Sequence, residues 1–248
     1  MSLEKSMVVA KTDLKMALDV RYVKYSMVIA GGFGPVMAII MVVGSLLLGI
    51  PELLSLMVLY ASSMIGLFAI MPASLIAANA LVGEKEQRTL EPLLCTPLTD
   101  KELLMGKVLS SLIPSMVMII VGTFATMIAA NVTLFLLEKP LMLIPDIAGL
   151  VLIFGAGPPM VLAVIAVMIL ISGKVTRVYE AYQASGSVIL VFLIPMFLPL
   201  ASMQNEILDP NAVWLSVLLT VLLGIALMTI TWLIAFSRFN RNNMVQLV

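Results

Sequence analysis

Residues 83–107 read GEKEQRTLEPLLCTPLTDKELLMGK and lie between two long apolar runs. This stretch of 25 residues holds nine of the 28 Asp, Glu, Lys and Arg residues in the chain. Loops carry binding surfaces more often than the rigid elements that position them. We therefore expect this charged loop to be the surface that the chain offers to a soluble partner.

The rest of the chain has the composition of an integral membrane protein. Of its 248 residues 62% are hydrophobic and 11% are charged, with a mean hydropathy of +1.15, whereas soluble domains carry about 25% charged residues. The single cysteine, Cys95, permits no intrachain disulfide. Because charges run through the first 24 residues, we expect no cleaved signal peptide. The sequence predicts one all-α membrane domain over residues 1–248.

Apolar segments near the length of a membrane-spanning helix recur six times. The six predicted spans are Ser26–Ile50, Leu53–Val82, Val108–Leu137, Ile147–Ser172, Ser187–Met203 and Ala212–Ser237. Pro72 and Pro114 are candidate kinks, and the run Gly155–Pro159 is expected to bend or interrupt the fourth span. Pro195 and Pro199 divide the fifth, whose helix could begin near Tyr179 and end in a re-entrant turn.

An amphipathic elbow helix is predicted before the first span, over residues 3–25. Its apolar face recurs at helical spacing, and consists of Leu3, Met7, Ala10, Leu14, Ala17, Leu18, Tyr22 and Tyr25. Such a helix can lie in the headgroup plane of the membrane. This position is the favoured one, and the alternative is a cytosolic cap that packs on the protein itself.

Positive charge is distributed unequally between the two ends of the spans. Thirteen of the 14 Lys and Arg residues lie at one end, and only Lys139 lies at the other. The positive-inside rule then places both termini and the loop 83–107 in the cytoplasm of a multi-pass protein of the cell membrane. The connections at the opposite end are too short to form a separate domain.

Several kinds of chemistry are missing from the chain. It contains no His, and the predicted spans contain no Asp, Glu, Lys or Arg, so intramembrane proteolysis and ion coupling through midplane carboxylates have no candidate residues. The phosphate-loop motif is absent, because Gly106-Lys107 is followed by Val108. We therefore predict no catalytic residue, no metal site and no enzymatic activity for this chain.

A few polar and small residues do occur within the spans. Hydrogen bonding within or between helices is the favoured role of the polar set, which comprises Ser62, Ser63, Asn79, Thr123, Thr126, Asn131 and Thr133. Contact with a transported molecule is the other role open to them. The glycine clusters 31–34 and 44–49 are expected to allow close helix packing or bending, or to lie at a subunit interface.

The charged loop has a local structure that its residues predict. Thr99 and Glu102 form a capping box, with Leu98 and Leu103 as its hydrophobic staple, so a helix should begin at Asp100 and continue into the third span. Residues 83–88 should prolong the second span beyond the membrane. Between them, residues 89–96 are predicted to form a short helical knob, which needs packing from the bundle or a partner.

These residues also resemble a known family. The pattern Glu84…Thr89-Leu90-Glu91-Pro92-Leu93-Leu94…Pro97-Leu98…Glu102-Leu103-Leu104…Gly106-Lys107 is similar to that of ABC-2 type transporter permeases. The match covers about 24 residues, and the predicted topology extends it loosely over the chain.

The resemblance implies a permease subunit of an ATP-binding-cassette transporter, with an exporter as the expected direction. In that family the loop between spans two and three carries a coupling helix that docks on a separate ATPase. The implied coupling residues are Glu84, Arg88, Thr89, Leu90, Glu91, Leu93, Leu94, Pro97, Glu102, Gly106 and Lys107. A second, smaller contact is implied at Lys174, Arg177, Tyr179 and Glu180.

The resemblance also implies partners. They are a cytoplasmic ABC ATPase that carries ATP and Mg²⁺, a second copy of the chain or a related permease, and the lipid membrane, with no role for nucleic acid. Two other functions remain open from the residues alone: a membrane scaffold that anchors a soluble partner, and an ATP-independent carrier. The sequence does not identify the transported molecule.

Overall fold

The computed structural model describes residues 3–86, 99–201 and 210–238, and every element in these ranges is helical. The α-helices are α1 (Leu3–Asp19), α2 (Arg21–Leu48), α3 (Pro51–Ala78), α4 (Glu84–Glu86), α5 (Asp100–Leu136), α6 (Ile147–Val151), α7 (Gly157–Ser172), α8 (Val178–Ala201) and α9 (Pro210–Arg238). Two five-residue π-helices connect them, Asn79–Gly83 after α3 and Leu152–Ala156 between α6 and α7.

The centre of the bundle is formed by α3 and α7. More than half of the most apolar window of each of their spans is buried, against 17% for α9. One apolar cluster joins α3 to α7, α8 and α9 and includes Ile70, Met160 and Met168. A second joins α2, α3 and α5 around Ile65 and Ile119. The outer helices thus leave apolar faces uncovered, as expected of helices surrounded by lipid.

Five helical segments in the described part of the chain are long and apolar enough to cross a membrane. They are Arg21–Leu48, Leu53–Ala78, Lys101–Leu136, Ile147–Ser172 and Val213–Ser237. The fifth predicted span corresponds to α8, which has 24 residues but is not among these five.

The N-terminal region divides at a different residue from the one predicted. The elbow helix α1 ends at Asp19, and α2 begins at Arg21 because Val20 has extended backbone dihedral angles (φ −75°, ψ 110°). Residues 21–25 therefore belong to the first span, and the predicted elbow 3–25 is too long.

The buried face of α1 also differs from the predicted apolar face. Its buried residues are Ser6, Val9, Ala10, Asp13 and Ala17, whereas Met7 is 53% exposed. This stripe packs on the start of α5, so α1 is a cap on its own bundle as well as an amphipathic helix. Small side chains allow this close approach, whereas Met7 and Val8 are exposed.

The two predicted interruptions, in the fourth and the fifth span, have different outcomes in the structure. The run Gly155–Pro159 contains the end of the second π-helix and the start of α7, where the two prolines occupy first-turn positions that need no intrahelical N–H bond. In contrast, α8 continues over positions 195 and 199 to Ala201, so no re-entrant turn follows Pro195 within this helix. The alternative helix start near Tyr179 is confirmed by the beginning of α8 at Val178.

Glycines in the first cluster allow α2 to approach its neighbours. A Cβ atom on Gly34 would lie 2.7 Å from the Phe68 Cβ atom of α3, and one on Gly31 would lie 3.3 Å from Met118 of α5. In the second cluster, Gly49 ends α2 with a φ of 70° and donates its N–H to the Ser45 carbonyl. Gly44 meets no neighbouring atom within 4 Å. The first cluster therefore serves helix packing and the second a helix end.

Candidate functional site

The two ends of the charged loop are built as extensions of α3 and α5. From α3 the chain continues through the first π-helix into α4, which ends at Glu86. At the other end the predicted capping box is present, since the Glu102 N–H donates to Thr99 Oγ1 over 3.3 Å and the Thr99 N–H donates to Glu102 Oε2 over 3.1 Å. The predicted restart of the helix at Asp100 is thus confirmed.

Most of the implied coupling residues lie outside the described ranges. This holds for Arg88, Thr89, Leu90, Glu91, Leu93, Leu94 and Pro97, and for the predicted knob 89–96. The described members are Glu84, Glu102, Gly106 and Lys107, and all four are buried. Their burial places them at the base of the loop, against their own bundle.

Glu84 and Lys107 belong to a buried charged triad whose third member is Asp13. The Lys107 Nζ atom lies 2.6 Å from Glu84 Oε1 and 3.8 Å from Asp13 Oδ2. Each of the three residues is at most 9% exposed. The same ammonium donates a hydrogen bond to the Ala80 carbonyl in the first π-helix. One cation therefore connects α1, the end of α3 and the start of α5.

The π-helix supplies the oxygen that completes this site. Residues in a π-helix leave the regular i to i−4 ladder, and such single turns occur often at functional sites. Here the Ala80 carbonyl accepts from Lys107. A buried ammonium is tolerated only when charges and hydrogen-bond acceptors surround it.

The third member of the triad has an altered acidity. Burial raises the pKa of the Asp13 carboxyl from 3.8 to about 6, the Lys107 ammonium opposes this rise, and the Glu84 carboxylate adds to it. Desolvation disfavours the ionised carboxylate more than the cation 3.8 Å away favours it. Asp13 thus changes charge close to neutral pH.

Gly106 explains how α1 reaches this position. A Cβ atom at Gly106 would lie 2.6 Å from the Val9 Cβ atom and 2.9 Å from the Ser6 carbonyl oxygen. Only glycine permits the two helices to approach so closely. In this structure the implied coupling residue Gly106 is therefore a contact for the elbow helix.

The second implied contact lies at the start of α8. Lys174, Arg177, Tyr179 and Glu180 are all exposed. Glu86 accepts a hydrogen bond from the Val178 N–H over 2.9 Å, which satisfies one of the free donors at this helix end. The structure thus brings the base of the charged loop next to the second predicted contact.

A cavity of about 590 Å³ opens between α1, the first π-helix and α8. Asn79 donates to the Tyr182 hydroxyl on one wall, and the Tyr182 ring lies 5.4 Å from that of Tyr22. Acidic side chains from two elements, α1 and α4, also line it. The lining residues are Asp13, Met16, Ala17, Val20, Tyr22, Asn79, Ala80, Gly83, Glu84, Glu86, Val178, Tyr179 and Tyr182.

The polar residues inside the spans have the role that the sequence favoured. Ser62, Thr123 and Thr126 donate to carbonyls four residues earlier in their own helices, over 2.8, 2.8 and 2.9 Å. Further bonds of this kind come from Ser63, Asn79, Asn131 and Thr133. These bonds satisfy the side chains without a ligand.

Comparison with protein families decides what kind of molecule this is. The family model described as ABC-2 family transporter protein matches residues 5–213, which is most of the chain. The chain belongs to this family. A comparison with curated proteins finds no match.

Family membership indicates the kind of protein to which this site belongs. An ABC-2 family protein of this kind is a membrane subunit of a transporter, and the family implies association with an ABC ATPase and with the membrane. The motif in residues 84–107 was therefore a correct indication of the family.

Three residues of the site were not predicted from the sequence of this ABC-2 family protein: Asp13, Glu86 and Tyr182. Asp13 lies outside the predicted apolar face of the elbow helix. A signal for its burial does exist, because Ser6, Ala10, Asp13 and Ala17 form a stripe of small or short side chains at helical spacing. Glu86 and Tyr182 carry no such signal, since their roles depend on contacts between distant segments.

Proposed function

We propose that this chain is the permease subunit of an ATP-driven exporter. It would form half of the translocation pathway and pair with a second copy or a related permease. A separate ATPase subunit would bind ATP and Mg²⁺ and dock on the loop 83–107. In this proposal the chain itself catalyses no reaction and binds no cofactor.

One observation carries the proposal beyond family membership. Both ends of the charged loop are tied to the bundle, through the triad Asp13–Glu84–Lys107 and through the Glu86 bond to α8. A force on the loop would therefore reach α1, α3, α5 and α8 together. Coupling between sites requires such a connected element with two arrangements of different ligand affinity.

The proposed permease subunit has six membrane spans. We infer that α8 is also a span, the fifth of six in chain order, because its 24 residues are long enough to cross a bilayer. With the termini and residues 83–107 in the cytoplasm of the cell membrane, the second contact at Lys174–Glu180 faces the same ATPase. ATP binding would then shift the docked loop and favour one orientation of the pathway.

The test of coupling uses Leu94→Asp, which would bury a charge in the docking contact. We expect the purified complex of permease and ATPase to lose substrate-stimulated ATPase activity and transport in proteoliposomes. Leu137→Asp is the control, because this exposed residue directly follows α5 at the opposite end of the bundle. Unchanged assembly, ATPase stimulation and transport in Leu94→Asp would disprove the assignment of the coupling segment.

The same reconstitution separates the two other functions. A membrane scaffold would assemble with its soluble partner but move no solute. An ATP-independent carrier would transport with the isolated chain and no ATPase. Transport that requires both subunits and ATP is the result that the proposal predicts.

A further inference from the structure

The cavity between α1, the first π-helix and α8 has the lining of a cation site. Three acidic residues line it, Asp13, Glu84 and Glu86, and none of its described lining residues is basic. Lys107 is not among the lining residues, and its ammonium already contacts Glu84 and Ala80. When all three carboxyls are ionised, they exceed this one ammonium by two negative charges.

Asp13 supplies a second, independent observation at this cavity. The residue is 95% buried, and its Oδ2 atom accepts no hydrogen bond from any residue that the structure describes. The Lys107 Nζ atom is 3.8 Å away, which is beyond hydrogen-bond distance. A buried carboxylate oxygen without a donor is costly, so a ligand with positive charge or N–H donors would be stabilised here.

Aromatic and apolar groups complete the lining. The rings of Tyr22 and Tyr182 lie 5.4 Å apart at 41° to each other, and Tyr179 lies one turn before Tyr182 on the same face of α8. Tyrosine rings attract ammonium groups through their negative faces. Met16, Ala17 and Val20 add an apolar strip on α1, suited to an alkyl chain.

We propose that this cavity binds the ammonium group of an amphipathic amine. The carboxylates of Asp13 and Glu86 attract the charge, the tyrosines contact its substituents, and the α1 strip contacts the alkyl part. A soluble alkylamine and the headgroup of an ethanolamine or choline lipid share this chemistry. Both can reach an amphipathic helix that lies at the membrane interface.

The binding test uses the purified full-length chain without an ATPase, so its outcome is independent of the proposed coupling. The chain is placed in nanodiscs of phosphatidylglycerol, a lipid with no amine, and titrated with hexyltrimethylammonium by calorimetry. We expect saturable binding and no binding of hexyl sulfate, which has the opposite charge. Equal binding of both probes, or of neither, would overturn the proposal.

Matched variants locate the site. Asp13→Asn should weaken hexyltrimethylammonium binding about tenfold, as expected for loss of a charge-assisted contact. Tyr22→Leu should weaken it about threefold, while Tyr22→Phe keeps the ring and the affinity. Tyr25→Leu is the control, because Tyr25 is equally exposed on α2 but does not line the cavity. Unchanged affinity in both Asp13→Asn and Tyr22→Leu would disprove this location.

A comparison of lipids shows whether the ammonium group belongs to a lipid headgroup or to a soluble amine. Nanodiscs containing phosphatidylethanolamine or phosphatidylcholine are compared with those of phosphatidylglycerol alone. If the amine lipids compete with the probe in the parent chain, the headgroup is the ligand. If they do not compete, the site takes a soluble amine.

Discussion

Lys107 holds a position where its charge has structural consequences. Its ammonium is buried with two carboxylates and one carbonyl around it, contributed by α1, α4 and the first π-helix. Replacing a whole buried ion cluster by neutral groups is often tolerated, whereas removing one partner leaves an uncompensated charge. The arrangement therefore predicts opposite effects for single and combined substitutions.

The single substitution Lys107→Met should destabilise the fold strongly. It leaves Glu84 and Asp13 buried without their cation, a change that costs about 3–5 kcal/mol in other proteins. Thermal unfolding in detergent measures the effect. The combined variant Asp13→Asn, Glu84→Gln, Lys107→Met should recover most of the loss. A single variant as stable as the parent chain would contradict the role given to this triad.

Asp13 should make stability depend on pH in a particular direction. Its pKa is about 6 in the folded chain and 3.8 as the ordinary value, so the folded state binds the proton more tightly. Stability from this group is then lost as the pH rises through that window.

The variant Asp13→Asn isolates this effect, because asparagine resembles the protonated acid. We expect the unfolding temperature of the parent chain to fall relative to the variant between about pH 4 and about pH 6, and to change little at higher pH. A difference that is constant with pH, or that changes in the opposite direction, would show that Asp13 is not buried as described.

The elbow helix shows that an element can be predicted from the sequence while its buried face cannot. The spacing of apolar residues predicts a helix near residues 3–25, and α1 is present at Leu3–Asp19. Which face is buried depends on α5, whose Gly106 admits Val9 and the Ser6 carbonyl. Periodicity reports an amphipathic helix but not its partner, because lipid and protein interior are both apolar.

The substitution Gly106→Ala should displace α1. The added methyl would lie within 3 Å of Val9 and of the α1 backbone, so the helix must move. Limited trypsin digestion at Lys5, Lys11 and Lys15 measures the release of α1 as faster cleavage. Gly44→Ala is the matched control, because its methyl meets open space on α2. Identical cleavage rates in the two variants would mean that α1 does not depend on this contact.

At the scale of the whole molecule, the bundle separates a charged end from an apolar body. The triad, the cavity and the second predicted contact all lie at one end of the helices, where α3 ends and where α5 and α8 begin. Thirteen of the 14 Lys and Arg residues are assigned to this end from the sequence, and Lys139 is the one assigned to the opposite end. This asymmetry supports the proposed orientation in the membrane.

Cys95 allows that orientation to be tested without introducing a cysteine. It is the only cysteine in the chain and lies in the charged loop. A membrane-impermeant maleimide should label it in inside-out vesicles and not in right-side-out ones, with Cys95→Ser as the unlabelled control. Lys139→Cys in the Cys95→Ser background should show the reverse. Labelling of Cys95 from outside would invert the proposed topology.

The sequence by itself determined the class of this protein, most of its helices and the capped start of α5. These depend on composition, apolar length and contacts within a few residues, which are local properties. Only the tertiary structure decided that Glu84 and Lys107 turn inward to Asp13, that Glu86 meets Val178, and that Tyr182 faces Tyr22 across a cavity. These pairs are distant in the chain, and a charged residue near a span has the same sequence signature whether it faces water, a partner or another buried charge.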